Sequence, residues 1–326
     1  MRILENRGNW YKGNLHMHTT MSDGRLAPED AVERYRKAGY DFVALTDHRA
    51  ENPSWQERDF LVLTGAEYDT GDPGSSMPVY HILGIGMENN PNIRYRESYE
   101  SRRPWPTAQE IVNAIRAAGG IAILAHPAWS VMTPEEMLGL HGFTAAEIYN
   151  TYCAVPWHPG RADSAHYFDI WGKNGKLVRA VAGDDAHRYQ GEECRSFVMV
   201  NAPELSQEAV MEALRAGDFY ASQGPKFYSI DFTDGEVTVE FSRDVETVVF
   251  LSNSPWGRKS VQQFSLEEQS ILPVSGESNL KKHRALSATY QTGRQEKYVR
   301  IELISRSGAK AWSSPFPVYT GTAHLF

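Results

Sequence analysis

The chain has 326 residues, with 33 Lys+Arg against 41 Asp+Glu and a formal net charge of −8 at pH 7. That balance excludes a basic nucleic-acid coat and argues against nucleic acid as a stable partner. Hydrophobic residues make up 41% and charged residues 23%, an ordinary globular mixture with length for about two domains. Cys153 and Cys194 are the two cysteines; they cannot form a disulfide framework and stand in no Cys-x-x-Cys pair. No stretch approaches the roughly 18 apolar residues of a membrane span, and Met1–Trp10 has no apolar run. The expectation is therefore a cytoplasmic protein with no membrane partner.

Short apolar runs alternate with amphipathic stretches up to about Tyr220, as in successive βα units. Gly13–His18 reads as a strand and Pro28–Ala38 as a helix with Ala31, Val32, Tyr35 and Ala38 on one face. Strands then follow at Asp41–Thr46, Phe60–Gly65, Val79–Ile85, Ile121–Leu124, Ala145–Tyr149 and Leu177–Ala182. Thr107–Ala118 is a helix whose Thr107 and Glu110 have capping-box spacing, and Ser206–Ala216 is a helix stopped by Gly217. Seven strands interleaved with helices predict an α/β barrel. From about Pro225 the period changes to two, with strands at Phe227–Phe232, Val237–Phe241, Thr247–Leu251, Tyr298–Ile304 and Phe316–Tyr319 and a turn at Asp234-Gly235. Asn253–Arg294 is polar, with one or two weak strands at most. The expected division is a barrel over residues 1–224 and a small all-β, sandwich-like domain over residues 225–326.

Histidines and acids gather where those strands end. His16-x-His18 closes the first strand, and period-two alternation sends both imidazoles to one side. Asp23 lies in a Ser-Asp-Gly turn just beyond. The next strands bring Asp47-His48, Glu67, His81, His126 and the run Asp184-Asp185-Ala186-His187. In parallel barrels such strand ends converge on one basin. A cysteine-free imidazole and carboxylate set favours Mn²⁺, Fe²⁺ or Zn²⁺, and its size suits two or three ions with Glu67 as a bridge. No Gly-x-Ser-x-Gly elbow, phosphate-binding Gly-Lys-Ser/Thr loop, Gly-x-Gly-x-x-Gly or His-Glu-x-x-His is present.

The ordered set His16-Met17-His18, Ser22-Asp23-Gly24, Thr46-Asp47-His48, Glu67, His81, His126-Pro127 and Asp185-Ala186-His187 resembles the PHP (polymerase and histidinol phosphatase) superfamily over about Trp10–Gly224. Ala213–Ser222 with Gly224-Pro225 is similar to the closing segment of its CehA/McbA-type metallohydrolases. The resemblance implies a distorted (β/α)7 TIM-like barrel. It places His16, His18, Glu67 and Asp185 around one ion, Glu67, His81 and His126 around a second, and Asp23, His48 and His187 around a third, with Asp184 behind Asp185.

The expected activity is hydrolysis of a small phosphate mono- or diester by a hydroxide bridging two ions. Glu67 holds the ions, and an acid or water near Asp23 or His48 protonates the leaving alcohol. Asn150, Arg161, Arg188 and Arg195 are candidate substrate contacts, and association with further copies of the chain is compatible with this reading. A carboxyl ester, carbamate or amide hydrolase is the alternative, for which an aromatic wall of Trp129, Tyr149, Tyr152 and Trp157 would argue. A binding module, motivated by exposed Trp256 and Trp312, is the remote one.

Overall fold

The computed structural model describes residues 1–5, 8–57, 59–71, 79–95, 105–154, 158–254, 260–265 and 285–318. Trp157, Trp256, His283, Tyr319 and His324 lie outside them. In chain order the elements are β1 (Arg2–Leu4), β2 (Asn9–Asn14), α1 (Pro28–Lys37), β3 (Phe42–Ala44), β4 (Trp55–Glu57), β5 (Phe60–Leu63), β6 (Gly65–Asp69), β7 (His81–Ile85), α2 (Ala108–Ala117), β8 (Ile121–Leu124), α3 (Pro134–Gly139), β9 (Ala145–Asn150), α4 (Ala165–Lys173), β10 (Arg179–Gly183), β11 (Phe197–Ala202), α5 (Gln207–Ala216) and β12 (Phe219–Ser222). There follow β13 (Phe227–Thr233), β14 (Glu236–Phe241), β15 (Val245–Ser252), β16 (Val261–Gln263), β17 (Leu286–Gln291), β18 (Tyr298–Ser305), β19 (Lys310–Trp312) and β20 (Phe316–Pro317).

The helix signals act as read. Thr107 and Glu110 cap α2 reciprocally, and α5 starts on Ser206 and ends on Gly217 at φ 92°. Helix α1 has no side-chain cap; Glu29 and Asp30 at its start and Arg34, Arg36 and Lys37 at its end oppose its dipole, while Ala31, Val32 and Tyr35 are buried. Helices α3 and α4 are additional. The first is six residues long, too short to show a stripe, although Thr133 and Glu136 form a capping box.

The fold is mixed α/β, and its barrel-like lobe is not a closed ladder. One sheet runs β10-β9-β8-β7-β6, and β2-β3-β5 belong to a second, larger sheet. Leu83, Ile85, Ile123, Ala145 and Val181 of the first share a core with Phe42, Ala44, Leu61 and Leu63 of the second. Where the sheets meet, the isolated bridges Met17–Ala186 and His48–Glu67 run parallel between them. Two departures from the sequence reading explain this. The expected strand Phe60–Gly65 divides into β5 and β6 in different sheets, because the chain crosses the end of β3 so closely that a Cβ on Gly65 would lie 2.5 Å from the Leu45 carbonyl oxygen. Strand β7 is antiparallel to both β6 and β8, so pairing is not uniformly parallel.

The large sheet continues from β2 through β11, β12 and β19 to β18, β15 and β16, across the position where the sequence pattern changes. Against it packs the antiparallel sheet β1-β13-β14-β17, with Val237, Val239 and Phe241 alternating inward. Strands β16 and β17 are the two weak strands of the polar stretch. Trp312, expected at the surface, is fully buried and stacks on Tyr149 at 5.7 Å. Arg300, 2% exposed, clamps α4 to this arm: Nε and Nη2 each donate to Asp169 at 2.7 Å, and Nη1 donates to Glu302 at 2.6 Å. Breaking such a pair strands buried charge, at about 3–5 kcal/mol. Arg300→Ala should therefore lower unfolding free energy in urea by about 3 kcal/mol, the low end because Asp169 keeps some water. A loss below about 1 kcal/mol would show that the clamp is unimportant.

Candidate metal centre

All nine candidate ligands converge. Their donor atoms form four overlapping groups: His16, His18 and Asp185; His16, Glu67 and His126; His48, Glu67 and His81; and His18, Asp23, His48 and His187. Glu67 belongs to two groups, as do His16, His18 and His48. The division into ions implied by the family resemblance is not reproduced one for one, since His126 groups with His16 and His81 with His48. His81 opens its strand; because β7 runs antiparallel, its beginning lies beside the ends of its neighbours, with Asp69 paired to His81. Asp23 is carried on a turn pressed against the His18 backbone, where a Cβ on Gly24 would lie 2.3 Å from the His18 carbonyl oxygen.

Glu67 is 1% exposed. His81 Nδ1 stands 2.9 Å from Oε1, His48 Nδ1 3.0 Å from Oε2 and His18 Nε2 3.2 Å from Oε2. Asp185 Oδ1 lies 3.1 Å from His18 Nε2 and 3.2 Å from His16 Nε2. Asp23 Oδ1 is 3.4 Å from His187 Nε2 and 3.8 Å from His48 Nε2. Yet Glu67 Oε2 and Asp185 Oδ1 are buried without a hydrogen-bond partner among the described residues. Ligand atoms held about 2.1 Å from one ion lie roughly 3–3.5 Å from one another, so this spacing without hydrogen-bond direction fits donor edges around divalent cations.

The charges agree. Burial alone would raise the Glu67 and Asp185 carboxyls, but His16, His81 and His48 hold the first well below its ordinary range, and His16, His18 and His187 hold the second well below. Conversely, burial would lower the imidazoles, while Asp185, Glu147 and Glu67 raise His16, and Glu67, Asp23 and Asp185 raise His48 to about 9. Asp23 is also lowered: burial opposes it, and His187, His48 and His18 outweigh burial.

Three acids behind the ligands fix them. Glu147 was not anticipated; its only signal is an acid in the apolar run Ala145–Asn150. It is 2.8 Å from His16 Nδ1, which leaves His16 Nε2 facing the centre, and it accepts from the His126 amide at 2.9 Å and from Asn150 Nδ2 at 2.8 Å. Asp47 accepts from the Thr19 amide and hydroxyl and the Ser22 hydroxyl, each at 2.7 Å, and from Asn52 at 2.9 Å, tying down the turn that carries Asp23. Asp184, which burial pushes up to about 6, accepts from the Cys194, Arg195 and Ser196 amides and the Tyr35 hydroxyl. His126 and Asp185 are held at φ 26° and 54°, a backbone strain of about 1–3 kcal/mol each.

The substrate contacts expected from sequence scatter. Asn150 is buried, donating to Glu147 and Asp185 and accepting from the Cys153 amide, so it braces the centre. Arg161 donates to the Trp129 carbonyl, and the Arg188 backbone N–H donates to Glu192. Arg195 lines a different cavity. The mouth of the centre, 200 Å³, is lined beyond its donors by Trp129, Tyr152 and Cys153. Tyr152 stacks on His187 at 4.4 Å, and Trp129 meets the edge of His126 at 5.0 Å. Tyr149 turns to Trp312 instead.

Fold and donor set define a mixed α/β protein with a histidine and carboxylate centre fitted to divalent metal. The ordered donor motifs resemble the PHP superfamily, and comparison with known proteins gives the following similarities. No family model matches the chain. A 37-residue stretch is 49% identical to the DNA polymerase/3'-5' exonuclease PolX of Bacillus subtilis, covering 11% of this chain and 6% of that protein. A two-domain protein from Bacteroides vulgatus, described as containing a predicted PHP-like metal-dependent phosphoesterase, aligns over 98% of this chain and 99% of its own at 15% identity, TM-score 0.48. An amidohydrolase from Chromobacterium violaceum aligns over 55% of this chain and 89% of its own at 17% identity, TM-score 0.40. Among the described residues, no helix is long and apolar enough to cross a membrane.

Glu147→Gln should weaken Mn²⁺ binding by about 10–100-fold while circular dichroism stays native, because it loosens His16 and His126 without removing a donor. An unchanged affinity would deny Glu147 that role. The raised imidazoles add a pH dependence. In metal-free protein their protons stabilise the fold fully below about 6.5, and that stability fades as pH rises through the folded values, about 9 for His48. A bound ion displaces those protons, so calorimetric Mn²⁺ affinity should climb between pH 7 and 9, by up to about tenfold per unit for each proton released, while the melting temperature of metal-free protein falls. A flat affinity profile would contradict it.

Proposed function

We propose that this protein is a metal-dependent hydrolase that cleaves a small phosphate ester. The observation that carries the reading is the convergence of nine imidazole and carboxylate donors, with Glu67 shared between groups, at the floor of an open mouth. Bound Mn²⁺, Fe²⁺ or Zn²⁺ ions supply water of lowered pKa and positive charge for the phosphoryl oxygens. The chain's own residues prepare the site. Glu67 and Asp185 stay ionised under their imidazole partners, Glu147 fixes the ring of His16, and Trp129 and Tyr152 wall the mouth where a leaving group would lie. Of the two residues expected near proton transfer, Asp23 is held ionised by His187, His48 and His18, and both Asp23 and His48 belong to one donor group of the centre.

A carboxyl ester, carbamate or amide hydrolase is the second reading, favoured by one observation: the residues lining the mouth include two aromatics and neither Arg nor Lys. Of the two aromatics that motivated the binding-module reading, Trp312 is core, and Trp256 lies outside the described residues. The test is turnover of matched p-nitrophenyl phosphate, phosphate diester, acetate and carbamate by protein reconstituted with Mn²⁺ or Zn²⁺, beside a chelated control. Metal-dependent cleavage of a phosphate ester is expected. Glu67→Ala should abolish it together with bound metal, whereas His166→Ala, at an exposed position, should change neither. Cleavage of acetate or carbamate alone would install the second reading, and inactivity with metal demonstrably bound would overturn both.

A further inference from the structure

A second cavity, 870 Å³ in volume, shares no lining residue with the metal centre. It opens where β2 and β11 face the Ser307–Ala309 turn between β18 and β19. We propose that this cleft binds a small soluble polyanion carrying two or more phosphate groups. Its volume lies within the few hundred to about 1,000 Å³ usual for small-molecule sites.

The argument rests on three cations. Lys12, Arg195 and Lys226 line the cleft, and none has a carboxylate within 4.0 Å among the described residues. The Lys12 ammonium is fixed over two ring faces, 3.9 Å from the centre of Tyr40 and 4.4 Å from that of Phe197. One acid, Asp41, lines the same space, where its carboxylate accepts the Lys12 backbone N–H at 2.7 Å. The lining therefore carries a net charge of +2, from three cations and one acid, on a chain of net charge −8. Burial lowers the Lys12 ammonium's hold on its proton and Lys226 adds to that, against Cys194, Asp184 and Asp41. Three cations gathered around a single lining acid are only partly compensated, and an anion bridging them relieves the remaining repulsion while accepting charge-assisted hydrogen bonds.

Calorimetric titration of tripolyphosphate, in excess Mg²⁺, into the full metal-loaded chain tests the site. One-site binding is expected that weakens with added salt, persists in Glu67→Ala, and becomes about tenfold weaker or worse in Lys226→Glu and in Lys12→Met. Lys226 is exposed, so its variant reads binding even if Lys12→Met misfolds. Unchanged affinity in Lys226→Glu, or loss in Glu67→Ala alone, would place the anion at the metal centre and overturn the proposal. Failure to bind tripolyphosphate would overturn it as well, including the case where a long oligonucleotide binds, which would assign the cleft to a polymer.

Discussion

Glu67 is a fully buried carboxylate that five imidazoles approach within 3.5 Å, those of His16, His18, His48, His81 and His126. An isolated charge at that depth would be prohibitively unfavourable, so the local fold must deliver partners from several elements at once. It does so at a seam. The His48–Glu67 and Met17–Ala186 bridges, which join the two sheets of the lobe, lie among the ligands themselves. Away from that end the sheets are held by their common apolar core. Meeting of the two sheets at this end and assembly of the centre are thus one constraint.

Such a crowd of donors has many ways to collapse onto itself. What prevents it is the layer of acids behind. Glu147, Asp47 and Asp184 each collect three or more hydrogen bonds from backbone and side-chain donors, and each holds a segment that carries ligands. The left-handed backbones of His126 and Asp185 persist because these contacts over-determine them. Supported in this way, the orphaned oxygens of Glu67 and Asp185 remain aimed inward, where a cation can use them.

The candidate donors that converge were legible in the sequence because their signals are local: a His-x-His spacing read through strand alternation, a Ser-Asp-Gly turn, an Asp-x-His run. Helix ends were legible for the same reason, as Thr107 with Glu110 and Ser206 with Gly217 show. What escaped depends on contacts distant in sequence. Nothing around His81–Ile85 states that its strand runs antiparallel, and only the approach of Leu45 to Gly65 explains why one apolar run serves two sheets. Trp312 looked like a surface aromatic because its partner, Tyr149, lies over 160 residues away. Arg195 follows the metal motif closely in sequence, but its backbone serves Asp184 while its side chain turns to the other cavity.

The centre and its rim divide the chemical work. Imidazole and carboxylate donors fix which cations bind and keep their partners ionised, and a hydrolytic centre of that kind acts on a phosphoryl or a carbonyl group alike. Selection between the two must then come from groups that touch the substrate outside the donor set. On the proposed reading those are Trp129 and Tyr152, which line the mouth against His126 and His187, and no Arg or Lys lines it among the described residues. On that reading a phosphate bound there would meet its positive charge at the metal floor, and the rings would favour a flat, apolar leaving group above it. Exchange of the aromatic rim should therefore alter which esters are accepted more than it alters the hold on metal.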